Sequence, residues 1–131
     1  IVAELNEKVA ASMINISMNT SPEFENGSSE GNLNIVNNTV NNFPQVIEIY
    51  LQDEIEQEDG SKKYEDKELV YQSGMIPVGS KVANAKLNKA LESHRVLEKG
   101  TYRAIAYFNA VKEDGSFVGR AAARIKLVIK N

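Results

Sequence analysis

The chain has 131 residues, 42% hydrophobic and 25% charged, with 18 acids, 15 bases, one histidine and neither cysteine nor tryptophan. One domain of this size buries roughly two thirds of its unfolded surface and folds without disulfides or metal. Structural zinc, iron–sulfur clusters and thiol nucleophiles lack their ligands here, and no apolar run approaches the ~20 residues of a membrane-spanning helix.

The net charge of −3 hides a division. Residues 1–68 carry 14 acids and 4 bases, residues 69–131 carry 4 acids and 11 bases. Such asymmetry can steer a charged partner, unless the two halves interleave in space and cancel much of the field. Fourteen asparagines are present, ten of them before residue 43. That enrichment makes triplets such as Asn15-Ile16-Ser17 and Asn26-Gly27-Ser28 expected by composition, with no weight as glycosylation signals.

In the opening segment Val2, Leu5, Val9 and Met13 recur at helical spacing, which predicts a short amphipathic helix or docking tail over residues 1–12. From residue 13 the period becomes two, and residues 13–131 form one predicted domain. Ile14, Ile16 and Met18 alternate with polar residues over 13–19, a strand with one buried face. Ser21-Pro22 and the polar run 25–31 interrupt it. Leu33 and Ile35 mark a second strand, and residues 45–53 a third, with Ile47, Ile49 and Leu51 inward and Val46, Glu48 and Tyr50 outward.

Residues 53–68 are strongly acidic, with Asp59-Gly60 predicting a hairpin turn at their middle. A short strand over 69–71 and another over 81–87 follow. Residues 101–111 place Tyr102, Ala104, Ala106, Phe108 and Ala110 inward, opposite Arg103, Ile105, Tyr107 and Asn109. After the turn Glu113-Asp114-Gly115-Ser116, residues 119–130 alternate Ala121, Ala123, Ile125, Leu127 and Ile129 with Arg120, Arg124, Lys126 and Lys130. Leu97, Gly100 and Tyr102 at the entry to the penultimate strand fit a tyrosine corner, in which the phenol hydroxyl bonds to backbone just upstream. Seven strand-like runs and this motif predict an all-β, antiparallel immunoglobulin-like or fibronectin type III-like sandwich. Without cysteine, it must be held by Tyr102 and the inward strand faces.

Three chemistries can be weighed. An EF-hand loop with Gly60 at its sixth position would need an acidic first ligand where Ile55 stands, so that motif fails, and a looser cation site at the hairpin tip stays open. His94, in the polar 91–99 connection, has no nucleophile elbow or phosphate loop beside it, and no catalytic residue, metal or cofactor is predicted. The outward face of the final hairpin carries Arg103, Tyr107, Arg120, Arg124 and Lys126, a basic stripe that is the candidate ligand-binding surface for an anionic or carbohydrate polymer. A lone tyrosine makes a poor stacking platform. The same face holds Ile105, Val111, Ala122 and Val128, which predicts a cover: the Val2/Leu5/Val9 stripe, a protein partner or a second copy.

The runs Asn19-Thr20-Ser21-Pro22-Glu23-Phe24, 31–37, 70–80 and Gly100-Thr101-Tyr102-Arg103-Ala104 resemble a group of small secreted or lipid-anchored proteins of Gram-positive bacteria. The resemblance spans most of the chain from Ile14 onward. It implies an extracytoplasmic β-sandwich and supplies no catalytic residues. Two departures stand out: residues 91–98 look like a duplicated, lengthened connection, and the chain opens at Ile1 with no signal peptide or lipobox cysteine, as a processed piece would. The expectation is a non-enzymatic cell-surface structural or protein-interaction module, and the alternative a carbohydrate or polyanion binder. Protein or cell-wall material is the expected partner, without nucleic acid, and a membrane would be reached only through an anchor this chain lacks.

Overall fold

A computed structural model describes residues 14–91 and 95–131. The expected N-terminal helix and its apolar stripe, and His94, lie outside the described residues. Seven strands are present: β1 (Glu23–Phe24), β2 (Ile35–Val36), β3 (Gln45–Glu56), β4 (Lys62–Gln72), β5 (Lys81–Val82), β6 (Gly100–Val111) and β7 (Phe117–Ile129). They form a five-stranded sheet in the order β1-β7-β6-β3-β4 and a two-stranded sheet of β2 and β5, with no helix among the described residues.

The all-β expectation holds, and the all-antiparallel one is corrected at one edge. β1 runs parallel to β7, and the N–H groups of Lys126, Val128 and Lys130 donate to the carbonyls of Thr20, Pro22 and Phe24. The proline accepts there without needing to donate, which is why an edge tolerates it. Residues 14–19 show the expected alternation but form no strand. They turn to the other layer, where the Asn19 N–H donates to Leu33 O (2.9 Å) and the Val36 N–H to Ser17 O (2.9 Å).

One core lies between the layers. Phe24, Leu33 and Ile35 meet Ile47, Ile49, Ala106, Phe108, Ile125 and Leu127, all buried, and Val82, Ala85 and Leu87 pack against them. Each large aliphatic side chain so buried contributes about 1.5–3 kcal/mol. Leu91 and Leu97, from the connection that leads into β6, are both in this core. The tyrosine corner is present: the Tyr102 hydroxyl donates to Glu98 O (2.8 Å) and its ring packs on the core.

The string Glu-Asp-Gly-Ser occurs twice, at 58–61 and 113–116, and builds the same hairpin loop twice. Gly60 N–H donates to Gln57 O (3.0 Å) and Gly115 N–H to Lys112 O (2.8 Å), closing a turn that then needs a left-handed residue. The glycines supply it, at φ 84° and 88°. In both loops the aspartate accepts from the serine N–H and hydroxyl, which holds its carboxyl below the ordinary range.

β4 is far longer than the expected 69–71 strand. Its ladder with β3 shifts register twice, between Ile49 and Tyr50 and between Tyr50 and Gln52, so Val70 and Tyr71 are consecutive yet both buried. The β3–β6 ladder ends at Leu51 with Ala104. Beyond it the ends of β3 and β4 pair only with each other, as a ribbon whose acids are exposed. The expected 81–87 strand shortens to Lys81–Val82, with a single further bridge from Ala85 to Gly31.

Candidate functional site

Antiparallel partners point to the same side of a sheet, so the registers define rows across the outward face of the five-stranded sheet. One row runs Val46, Asn109, Arg120. The next runs Gln72, Glu48, Tyr107, Ala122, and the third Leu69, Tyr50, Ile105, Arg124. Arg103 and Lys126 pair below these, and Gln52 with Asp66 and Glu54 with Tyr64 extend the face onto the ribbon. All five residues expected to bind a ligand, Arg103, Tyr107, Arg120, Arg124 and Lys126, therefore share this face.

The stripe is less bare than the hairpin sequence implies, because β3 and β4 bring acids and two further tyrosines to it. Arg120 Nε donates to Asn109 Oδ1 (2.7 Å), Asn109 Nδ2 donates to Glu48 Oε1 (2.9 Å), and Arg120 Nη2 lies 3.7 Å from the same carboxylate oxygen. The Arg120 guanidinium sits over the Tyr107 ring, 4.5 Å from its centre, and Tyr50 meets that ring edge-on at 5.7 Å. The Tyr107 hydroxyl donates to Asp66 Oδ2, and Gln52 Nε2 donates to Asp66 Oδ1 (3.0 Å). Burial first, then the hydrogen bond to Asp66 and that carboxylate's charge, push the Tyr107 phenol up to about 12.

A second centre lies on Tyr64. The guanidiniums of Arg103 and Arg124 are 4.6 and 4.7 Å from its ring centre, within cation–π range. Arg103 also lies 3.7 Å from Glu54. Glu54 is held below the ordinary carboxylate range chiefly by the hydrogen bond from Lys62, at 2.8 Å, with the charges of Lys62 and Arg103 adding to it. Among the described residues, three ion pairs, Arg103–Glu54, Arg120–Glu48 and Lys130–Glu23, join the basic second half of the chain to the acidic first half, while Lys62, Lys63 and Lys67 pair within the first half.

The apolar outward positions are answered unevenly. Val111 is buried, Ile105 and Val128 are half-buried, and Ala122 is exposed. Ile105 lies between Tyr50 and Arg124 in its row, so the face's own long side chains flank it. In the acidic ribbon, Asp53 pairs with Lys67 (3.0 Å) and Glu54 with Lys62, and no group of three or more His, Asp or Glu side chains among the described residues is arranged to hold a metal ion.

Sequence reasoning found the cations and Tyr107 and placed Tyr50 outward. It missed Tyr64 and Asp66 as their partners. The signal for Tyr64 was its position as the lone aromatic in a charged run, opposite the outward Glu54 across the Asp59-Gly60 turn. No family model, curated protein or solved structure matches this chain.

Proposed function

We propose that this chain is a non-enzymatic interaction module of the bacterial cell surface, with an immunoglobulin-like arrangement, and that it contacts a protein partner through the outward face of the five-stranded sheet. The observation that carries this reading is the concentration of Tyr50, Tyr64, Tyr107, Arg103, Arg120 and Arg124 on one face, held by mutual contacts. Tyrosine and arginine dominate the energetics of protein interfaces. A face whose long side chains are already ordered loses less entropy on binding.

The order β4-β3-β6-β7 supports the immunoglobulin-like part, since it corresponds to the C′-C-F-G order of variable-type domains, and so does a tyrosine corner at the entry to β6. Placement at the cell surface rests on the resemblance of the 19–24, 31–37, 70–80 and 100–104 runs to secreted Gram-positive proteins. The carbohydrate-stacking alternative is disfavoured by geometry. The guanidiniums already occupy the Tyr64 and Tyr107 rings, so a sugar would have to displace an arginine from each.

The test is binding of the purified chain to isolated Gram-positive envelopes, before and after protease treatment of the envelopes. A protein partner predicts saturable binding that protease abolishes and that Tyr107→Ala with Arg120→Glu removes. Binding that survives protease and disappears with salt would replace this reading with the polymer one.

A further inference from the structure

Arg103 and Lys126 are direct cross-strand partners on β6 and β7, and Arg124 is diagonal to Arg103 on the same face. Like charges directly opposite one another on a sheet destabilise it. The nearby acid, Glu54, is shared between Arg103 and Lys62. Among the described residues, no carboxylate pairs with Arg124 or Lys126. The three cations also border a cleft of about 260 Å3, lined by Thr20, Ser21, Arg103, Arg124, Ile125 and Lys126, with no acid in its wall.

We propose that this cleft binds a tetrahedral oxyanion of the phosphate class. Two arginines, a lysine and the Ser21 hydroxyl form a donor set suited to phosphate oxygens, where arginine supplies paired donors and lysine a point charge. The guanidiniums are held before any ligand arrives, because both rest on the Tyr64 ring. Thr20 and Ser21 are held as well, since Lys126 N–H donates to Thr20 O (2.9 Å) and fastens this segment to the edge of β7. The volume is below that of pockets for drug-sized ligands, which suits one anionic group, alone or as part of a chain. The site shares Arg103 and Arg124 with the face proposed to contact protein, and phosphate binding to the isolated chain reads it apart from that contact.

The experiment titrates the ¹⁵N-labelled chain with sodium phosphate, with a glycerol phosphodiester oligomer and with sodium acetate, at ionic strength held constant with sodium chloride. The expected result is saturable shifts of the Arg124 Nε–H and of the Ser21 and Lys126 amides with phosphate or the diester, and none with acetate. The tighter of the two ligands identifies whether the anion is free or polymer-borne. Arg124→Gln and Lys126→Gln each weaken binding about tenfold, the effect of losing one charge-assisted hydrogen bond, while Lys86→Gln on the other layer changes nothing. As a second measurement, Lys126→Gln in chloride alone keeps or raises the melting temperature, because it removes a like-charge neighbour. Non-saturable shifts, acetate binding equal to phosphate, or undiminished binding in both glutamine variants would overturn the proposal.

Discussion

Replacing Asn37 with alanine removes a side chain that is fully buried and that serves three partners. Its Nδ2 donates to Phe43 O (3.0 Å) and Ile76 O (2.9 Å), and its Oδ1 accepts from Asn41 Nδ2 (2.9 Å). Asn41 in turn donates to Asn15 O (2.8 Å) and accepts from Asn15 N–H (2.7 Å). The asparagine cluster therefore does for residues 14–19, 37–43 and 76 what a ladder does elsewhere. A net hydrogen bond contributes about 1 kcal/mol, and each buried group left without a partner costs about 1–3 kcal/mol. Three bonds are lost and one carbonyl, Phe43 O, is orphaned, because Ile76 O keeps the Gln45 N–H (3.0 Å); the destabilisation is about 3–4 kcal/mol. At ~2.1 cal/mol/K per residue, that lowers the melting temperature by about 10–15 °C. Far-UV circular dichroism during urea and thermal unfolding measures it, with the urea slope unchanged. Asn38→Ala is the comparator: its Oδ1 accepts only the exposed Val40 N–H (3.1 Å), and its loss should stay below about 1 kcal/mol. A loss below about 1 kcal/mol for Asn37→Ala, or equal losses at both positions, would refute the network argument.

Tyr102→Phe keeps the ring and deletes the hydroxyl bond to Glu98 O, so a loss of about 1–1.5 kcal/mol is expected in the same unfolding assay. Gly31→Ala places a Cβ about 2.3 Å from the Phe24 ring, in the buried contact that seats β1, and should destabilise the fold by about 2 kcal/mol or more. The Tyr107 phenol titrates near 12 in the fold against an ordinary 10.0. Its contribution to stability is therefore complete below pH 10 and is lost as pH rises through 12, because the unfolded chain gives up that proton first. Absorbance titration at alkaline pH should show a late phenol that Tyr107→Phe removes, together with part of the alkaline decline in stability.

The long hairpin of β6 and β7 was legible because both strands keep a strict period of two for more than ten residues, and the two faces differ in polarity. β1 was not, because Glu23–Phe24 is a strand only through its pairing with β7, about a hundred residues away. Residues 14–19 carry a strand's alternation without a strand's ladder, so periodicity reported their burial correctly and their pairing wrongly. β4 hid for the opposite reason. Residues 62–68 leave the body of the sheet with β3, and most of them are wetted on both sides, so no apolar period marks them.

The site divides the same way. Arg103, Tyr107, Arg120, Arg124 and Lys126 share a face because alternation alone places them there. Tyr64 and Asp66 reach that face through the Asp59-Gly60 hairpin, which sets them opposite Glu54 and Gln52, but the polar 62–68 run has no apolar period to show that it pairs with β3. The asparagines were visible as a count, but their use was not: Asn37 bonds to a carbonyl 39 residues away. Amide side chains that replace a ladder leave enrichment in the sequence and nothing about their destinations.

The most direct test of the outward face as the working surface is photocross-linking from a reactive residue placed at Ala122, which is exposed and pairs with Tyr107. A matched probe at Asn84, exposed on the other layer, is the reference. With intact Gram-positive cells, the account predicts one discrete protein adduct from position 122, absent from position 84 and absent when Tyr107→Ala and Arg120→Glu are combined with the probe. An adduct of twice the chain's own mass would name a second copy as the partner. No adduct from position 122, or the same adduct from both positions, would contradict the account.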